Sequence, residues 1–143
     1  MTPVWLPDDV AEAFLLPRIQ SEGVGPMLAM GVLDRDYQIV GCAAIHDWNP
    51  EFETCEVSAA SDTPRWITKP VLRFFFNHLF DVMKLQMVYA KTASTNPRAQ
   101  SFWHKLGATE HVIPRGRGRD VHEHLMTLTD DQWIQFRNRL NNH

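Results

Sequence analysis

The chain has few cysteines and no long apolar run, and each shortage argues against a class of protein. Its two cysteines, Cys42 and Cys55, are too few for a disulfide framework, so we expect two reduced thiols, either as separate core residues or as neighbours on paired strands. No apolar segment approaches the ~20 residues that span a bilayer, so a membrane protein is not expected. The opening MTPVWLPDDV lacks the basic start of a signal peptide, which predicts a cytoplasmic protein.

The chain also has no strong excess of positive or negative charge. The net charge is −3 and 22% of the residues are charged, so a uniformly basic surface for nucleic acid is not expected. The 143 residues are 44% hydrophobic, which is enough for a substantial core. No repeat or linker divides them, and we expect one domain over residues 1–143.

The apolar periodicity predicts alternating strands and helices. Strands are expected at 26–34, 38–48, 53–61, 86–93, 109–114 and 120–128. Helices are expected from an Asp8 or Asp9 cap to Pro17, and at 67–85, 96–106 and 130–140. Because a long helix joins 53–61 to 86–93, these two strands must be parallel in an otherwise antiparallel sheet. The pattern therefore indicates a mixed α/β (α+β) fold.

The segment STNPRAQSFWHKLGA, residues 94–108, combines a strand end, a capped helix and a stop. Asn96 is a good N-cap, and Pro97 suits the first helical position. Gly107 supplies the left-handed residue that ends many helices. The segment predicts a short helix that begins directly after a buried strand.

The element order and this segment together resemble the GNAT superfamily of acyl-CoA-dependent N-acyltransferases, in the compact form found in phages and bacteria. The similarity spans about residues 27–128. The residues that match the family's second signature are Asn96, Ala99, Phe102, Lys105, Leu106 and Gly107, with Ala108 where a Phe is usual. The resemblance implies that the strands beside the long helix splay apart, that acetyl-CoA threads the gap, and that its pyrophosphate meets the helix N-terminus.

The glycine-rich phosphate loop of that family is missing here. The corresponding stretch, S-D-T-P-R-W-I-T-K-P, has no glycine and cannot form a backbone nest. Thr68 can cap the helix, while Arg65 and Lys69 either bind the phosphates or are solvated beside a loop anchored by Trp66. The resemblance implies these cofactor-binding residues: Ala60, Ser61, Arg65, Trp66, Ile67, Thr68, Lys69, Asn96, Phe102 and Trp103.

Trp103 stands where many family members have the tyrosine that reprotonates the departing thiolate. An indole N–H donates a hydrogen bond but does not give up its proton near neutral pH. Three alternatives follow from this departure. The thiolate leaves without a dedicated acid, or Ser101, His104 or water protonates it, or the protein no longer catalyses.

Acyl transfer to an amine also needs a base, because an ammonium group must lose a proton before it attacks. Glu56 is the first candidate, since several family members carry a catalytic Glu on the strand before the phosphate loop. His46 and Asp47, at the end of the neighbouring strand, are the second choice. The predicted catalytic residues are therefore Glu56, His46 and Ser101.

Two further groups carry weaker signals. His111, His122 and His124 have no carboxylate or cysteine at ligand spacing, so no metal site is expected. R-G-R-G-R, residues 115–119, precedes a strand rather than a helix, which favours a solvated turn over a phosphate loop.

The function indicated is an N-acetyltransferase that moves an acetyl group from acetyl-CoA to the primary amine of an unidentified acceptor. The alternatives are a coenzyme A-binding or interaction module without catalysis, and an unrelated α/β protein. One short helix precedes Met27, so compared with the family a first strand or helix is absent or shortened. An open cleft suits a bulky acceptor such as a protein N-terminus or lysine. A partner chain in a homodimer, or the final helix with Trp133 and Phe136, would close it.

Overall fold

A seven-stranded sheet organises the molecule, whose residues 1–142 are described by this computed structural model. The strands are β1 (Thr2–Leu6), β2 (Met27–Leu33), β3 (Ile39–Asn49), β4 (Thr54–Ser61), β5 (Met87–Ala93), β6 (Thr109–Ile113) and β7 (Glu123–Thr129). The helices are α1 (Asp8–Ile19), α2 (Lys69–Asn77), α3 (Pro97–Leu106) and α4 (Asp130–Asn141). A π-helical turn, His78–Val82, continues α2. None of the described helices has the length and apolar character needed to cross a membrane.

The strands lie in the order β1-β2-β3-β4-β5-β7-β6, and among residues 1–142 only β4 and β5 are parallel neighbours. The other neighbouring pairs are antiparallel. The mixed, mainly antiparallel sheet is the predicted one. Its single parallel pair follows from the helical crossover between β4 and β5.

The parallel pair is short, and the strands part beyond it. β4 pairs with β5 from Thr54 to Glu56, and the last pair joins Glu56 to Tyr89. β4 then continues to Ser61 against β3, and β5 continues to Ala93 against β7. The predicted splay is therefore present, and it opens directly after Glu56.

The start of the chain differs from the prediction. The expectation was that a first strand or helix is absent or shortened. Thr2–Leu6 forms an edge strand that pairs with β2 over its whole length, so a first strand is present. Five residues containing Pro3 carry too weak a pattern to be read as a strand, although an edge tolerates proline. One helix separates β1 from β2 among the described residues, as predicted. That a partner chain covers this side stays a prediction.

Helix α1 also begins and ends differently. Its N-cap is Pro7, which makes no side-chain cap, rather than Asp8 or Asp9. The helix passes through Pro17 to Ile19. Its last turn is held by Arg18, whose guanidinium lies 3.6 Å from the Phe14 ring centroid and donates two hydrogen bonds to Asp62.

Two other elements are shorter than predicted. Helix α2 begins at Lys69 rather than at 67, because Thr68 serves as its N-cap, and it gives way to the π turn at His78. β7 begins at Glu123 rather than at 120, because residues 114–120 form the preceding turn and Val121 and His122 lie outside the strand.

Apolar residues cover both faces of the sheet. The larger cluster packs under α2, α3 and α4 and includes Phe76, Trp103 and Trp133, while the smaller one lies under α1. Cys55 belongs to the larger cluster and Cys42 to the smaller, so the two thiols are separate core residues. Burial raises the pKa of Cys42 to about 11 and that of Cys55 to about 12. Both are therefore thiols at neutral pH, as predicted.

Candidate active site

A cleft of about 1370 Å³ lies where β4 and β5 separate. Most of the residues predicted for the site line it: His46, Glu56, Ala60, Ser61, Trp66, Ile67, Asn96, Ser101, Phe102 and Trp103. Arg65, Thr68 and Lys69 are outside this lining. The predicted residues that line the cleft therefore come mainly from β4, the turn before α2, and helix α3, and the end of α1 and β5 also contribute to the walls.

The N-terminus of α2 offers fewer backbone donors than a glycine-rich loop would. The Thr68 hydroxyl accepts a hydrogen bond from the Val71 amide at 3.4 Å, and Pro70 has no N–H. Arg65 and Lys69 are exposed at this end of the helix. This end of the helix therefore presents more side-chain charge than free backbone donors.

Trp66 anchors the turn before α2 as well as lining the cleft. Its indole lies on the backbone of Gly41, where an added Cβ would come within 2.2 Å of the ring. The ring also packs against the larger core cluster. Only glycine at position 41 leaves room for this contact.

The opposite wall is α3, which begins as predicted. The Asn96 side-chain oxygen accepts a hydrogen bond from the Ala99 amide at 3.3 Å, and Gln100 donates to the Ala93 carbonyl at 2.8 Å. Gly107 ends the helix with a φ of 93°. The cap and the side-chain bond fix the helix start to the end of β5.

Trp103 joins the cleft to the core. Its side chain is buried, and its ring meets those of Phe76 and Phe102 edge-on, with centroids 5.9 and 5.5 Å apart. Ser101, on the same helix, is exposed and lines the cleft. His104 instead lies 2.5 Å from Glu110, outside the lining. Ser101 is therefore better placed than His104 to meet a bound molecule.

Glu56 occupies the last position at which β4 pairs with β5, at the point where the cleft opens. Its side chain is only 12% exposed, and its Oε1 lies 3.5 Å from Nζ of Lys91 on β5. The ion pair therefore links β4 to β5 at the point where the two strands begin to separate. The sequence analysis did not predict a role for Lys91. Lys91 lies two residues after Tyr89, which pairs with Glu56, so both side chains are on one face of β5.

His46 is held between two side chains. Its Nδ1 lies 2.6 Å from the Asp47 carboxylate and its Nε2 lies 2.7 Å from the Ser58 hydroxyl. A carboxylate only accepts hydrogen bonds, so Nδ1 donates to Asp47; in the neutral ring Nε2 then accepts from Ser58. The imidazole is almost fully buried, whereas Asp47 is exposed. These residues form a Ser-His-Asp chain that the sequence reading did not identify.

A β-bulge makes this chain possible. Adjacent strand residues normally point to opposite faces, so Asp47 would point away from His46. The pairing of β3 with β4 is irregular between His46 and Asn49, and Asp47 has a φ of 50°. The bulge turns the Asp47 carboxylate toward the neighbouring ring.

One group of three described side chains has donor atoms close enough together to hold a metal ion. Donor atoms of His46, Asp47 and Glu56 lie within 4.8 Å of one another. Both ring nitrogens of His46 already have protein partners, however, and the Lys91 ammonium lies beside Glu56. We therefore do not identify this group as a metal site.

The three histidines considered for zinc have separate partners. His124 bonds to Glu110 at 2.7 Å, His111 lies 3.3 Å from the Thr127 hydroxyl, and His122 accepts from the Arg115 amide. The hydrogen bonds from His124 and His104 lower the pKa of the Glu110 carboxyl. His122 also precedes β7 instead of sharing its face with His124.

The R-G-R-G-R turn is partly anchored rather than simply solvated. Arg117 bonds to the buried carboxylate of Glu123 and donates to the Lys91 carbonyl at 3.2 Å. Its side chain lines the cleft beside β5. Residues 115–119 are exposed, as expected for a solvated turn, but the sequence of the turn did not reveal the partners of Arg117.

Comparison with known proteins agrees with this architecture. No family model matches the chain, and no curated protein matches it. Among solved structures, a spermidine N-acetyltransferase SpeG chimera from Vibrio cholerae and hSSAT is 12% identical, with a TM-score of 0.73 over 94% of this chain and 99% of that one. A protein described as a "putative acetyltransferase" from T. thermophilus is 20% identical, with a TM-score of 0.70 over 99% of this chain and 77% of that one. The chain therefore shares the fold of these two proteins.

Proposed function

We propose that this protein is an N-acetyltransferase that moves an acetyl group from acetyl-CoA to a primary amine. The observation that carries the proposal is the splay of β4 from β5 after the Glu56–Tyr89 pair, with a large cleft at that point. A thioester arm laid in this gap reaches the charged residues of both strands. The same fold in acetyltransferases supports the reaction class.

The cofactor is proposed to lie along the cleft with its pyrophosphate at the turn formed by residues 66–70. Arg65 and Lys69 supply positive charge there, and the Thr68 cap holds the helix end. Asn96, Phe102 and Trp103 provide the α3 wall for the pantetheine arm. Ala60 and Ser61 line the β4 side.

Glu56 is proposed as the general base for direct attack. Its carboxylate takes a proton from the acceptor ammonium, and the free amine then attacks the thioester carbon. The ion pair with Lys91 fixes the carboxylate at the mouth of the splay. His46 is less direct, because its Nε2 is already hydrogen-bonded to the Ser58 hydroxyl.

The departing thiolate does not require a tryptophan proton donor. Coenzyme A thiol is a tolerable leaving group, and Ser101 or water in the open cleft supplies a proton where one is needed. This arrangement keeps Trp103 in a packing role, consistent with its burial.

The acceptor is proposed to be a cationic amine. The Asp47 carboxylate is exposed on the cleft and attracts an ammonium group. The SpeG neighbours are named as spermidine N-acetyltransferases, so a polyamine belongs in the acceptor panel. A lysine-containing peptide and a peptide with a free N-terminus complete the panel, since the cleft is open.

The test is calorimetric titration with acetyl-CoA and free coenzyme A, followed by an acetyl-transfer assay with the amine panel. Binding with transfer supports the enzyme. Binding without transfer supports the alternative, a coenzyme A-binding module, which the buried Trp103 and the small number of amide donors at α2 favour. Absence of binding contradicts both.

Replacing both Arg65 and Lys69 with alanine is expected to weaken coenzyme A binding by about 1.5–3 kcal/mol, the range for hydrogen bonds to charged groups. The residual affinity should depend less on salt, because two cations are lost. Titration at two salt concentrations measures both effects. Arg35→Ala, which removes an exposed charge from the β2–β3 turn, is the control. Parent-like affinity and salt dependence in the double variant would place the phosphate site elsewhere.

Replacing Trp103 with tyrosine is expected to leave the rate of acetyl transfer unchanged or to raise it. The phenol supplies the usual acid of the family, while a ring of similar shape preserves most contacts with Phe76 and Phe102. Steady-state rates with a saturating amine provide the measurement. A collapse of the rate with unchanged coenzyme A affinity would show that the indole itself is required.

A further inference from the structure

We propose that this protein also hydrolyses acyl-CoA thioesters, through an acyl ester on Ser58 that forms when no amine is bound. The inference rests on the proposed acyl-CoA site and adds a second acceptor to it. Its basis is the hydrogen-bonded chain of Asp47, His46 and Ser58 on the cleft wall.

The chain has the arrangement that activates a serine. With Nδ1 of a neutral His46 donating to Asp47 at 2.6 Å, Nε2 accepts a hydrogen bond from the Ser58 hydroxyl at 2.7 Å. A base that is oriented by a third group, with a hydroxyl in hydrogen-bond reach, is the general signature of an activated nucleophile. His46 is nearly fully buried, so its ring has little freedom to leave this position.

The bulge in β3 argues that the arrangement is specific. Without it, the carboxylate of Asp47 would point to the opposite face from His46. The left-handed φ of Asp47 is unfavourable for a residue other than glycine, although aspartate tolerates it better than most. The short hydrogen bond to His46 offsets this cost. Asp47 is therefore a positioning residue for the imidazole.

Ser58 lies at the start of the splay. It is two residues beyond Glu56, so both side chains are on one face of β4. Extending the Glu56–Tyr89 register by two residues places Ser58 level with Lys91 across the gap. The Lys91 ammonium already reaches this face, since it lies 3.5 Å from Glu56. A carbonyl between Ser58 and Lys91 would therefore have a nucleophile on one side and a cation on the other.

The first step transfers the acyl group to serine. The Ser58 oxygen bonds to the thioester carbon while His46 Nε2 takes the hydroxyl proton, and Lys91 offsets the negative charge on the carbonyl oxygen. The carbon–sulfur bond then breaks, and the proton on Nε2 passes to the thiolate. The products are coenzyme A thiol and an ester on Ser58.

Water completes the cycle. Its oxygen attacks the ester carbon while Nε2 takes one of its protons, and the ester bond to Ser58 then breaks. The proton on Nε2 returns to the serine oxygen. A carboxylic acid leaves and ionises, and the protein is regenerated without any other reactant.

The experiment is incubation with acetyl-CoA in the absence of amine, with two readouts. Coenzyme A release is followed with a thiol reagent, and the acid-quenched protein is examined by intact mass and peptide mapping. We expect steady release of coenzyme A, together with one acetyl group on the peptide that contains Ser58 when acylation outpaces hydrolysis. His46→Asn should slow release by about 10²- to 10⁴-fold, the range for loss of a positioned base.

Three serine variants locate the reaction. Ser58→Ala should abolish both acetylation and release, while Ser58→Cys, of similar size, should still be acylated. Ser21→Ala is the matched control, because Ser21 also lines the cleft but its hydroxyl bonds to the Gly23 backbone instead of a histidine. It should behave as the parent does.

The outcomes separate the inference from the proposed function. Acetyl-CoA binding without Ser58-dependent release or acetylation would overturn the inference and leave the acyl-CoA site intact. Lack of acetyl-CoA binding would overturn the proposed function and the inference with it. Release that is equal in the parent and in Ser58→Ala would assign hydrolysis to another group and contradict the role of Ser58.

Discussion

Replacing Glu56 with glutamine is expected to lower the rate of acetyl transfer by about 10²- to 10⁴-fold, the contribution of a positioned general base. The amide retains the size of the side chain but cannot take the ammonium proton. Coenzyme A affinity should change little, because Glu56 lies at the mouth of the splay and the proposed phosphate contacts are at the turn before α2. Steady-state kinetics and cofactor titration on the same preparation separate the two effects.

Glu51→Gln is the matched control for this variant. Glu51 is exposed in the turn before β4, so the same change of charge leaves the cleft intact. Parent-like kinetics are expected for it. Should Glu56→Gln retain its rate while His46→Asn loses it, the base would be His46 acting through the Ser58 hydroxyl, and the assignment to Glu56 would be wrong.

The parts of the fold that could be predicted are those that local chemistry determines. Asn96 caps α3 and Gly107 ends it because their side-chain and backbone preferences act within a few residues. The parallel relation of β4 and β5 follows from chain connectivity alone. The splay between them came from the family resemblance, since the apolar pattern of the two strands does not show where pairing stops.

The parts that could not be predicted depend on backbone geometry or on distant partners. β1 is short and contains a proline, so its stability comes from pairing with β2 and not from its own pattern. The contact of Asp47 with His46 requires a β-bulge, and the residue types at that position do not predict one. Arg117 finds Glu123 and the Lys91 carbonyl only after β5 and β7 are paired.

The residues of the candidate site also divide into those that could be predicted from the sequence and those that depend on the folded sheet. Glu56 could be named because the resemblance pointed to the strand that carries it, and His46 because it ends the neighbouring strand. Ser58 could have been found from its spacing of two from Glu56, which places it on the same face. Its link to His46 depends on the β3–β4 register, which pairs His46 with Glu56 and Ala44 with Ser58. That register is a property of the folded sheet.

Truncating Trp133 to alanine is expected to cost about 3–5 kcal/mol of unfolding free energy, the range for loss of a large buried aromatic. Its side chain is fully buried, and its ring stacks on Phe76 with centroids 5.1 Å apart. The indole N–H also donates to the Asn77 side chain at 3.3 Å. The loss is a large share of the ~5–15 kcal/mol that typically stabilises a domain.

Urea denaturation of two further variants shows whether burial is the cause. Trp48→Ala removes the same side chain from a position that is 57% exposed, so its effect should stay within about 0.5 kcal/mol. Trp133→Phe keeps most of the apolar contact, and Arg137 still donates to the Asn77 oxygen at 2.8 Å, so its loss should lie between the other two. If Trp133→Ala proved no less stable than Trp48→Ala, α4 would not be held by this contact. The packing of the final helix onto α2 would then need another origin.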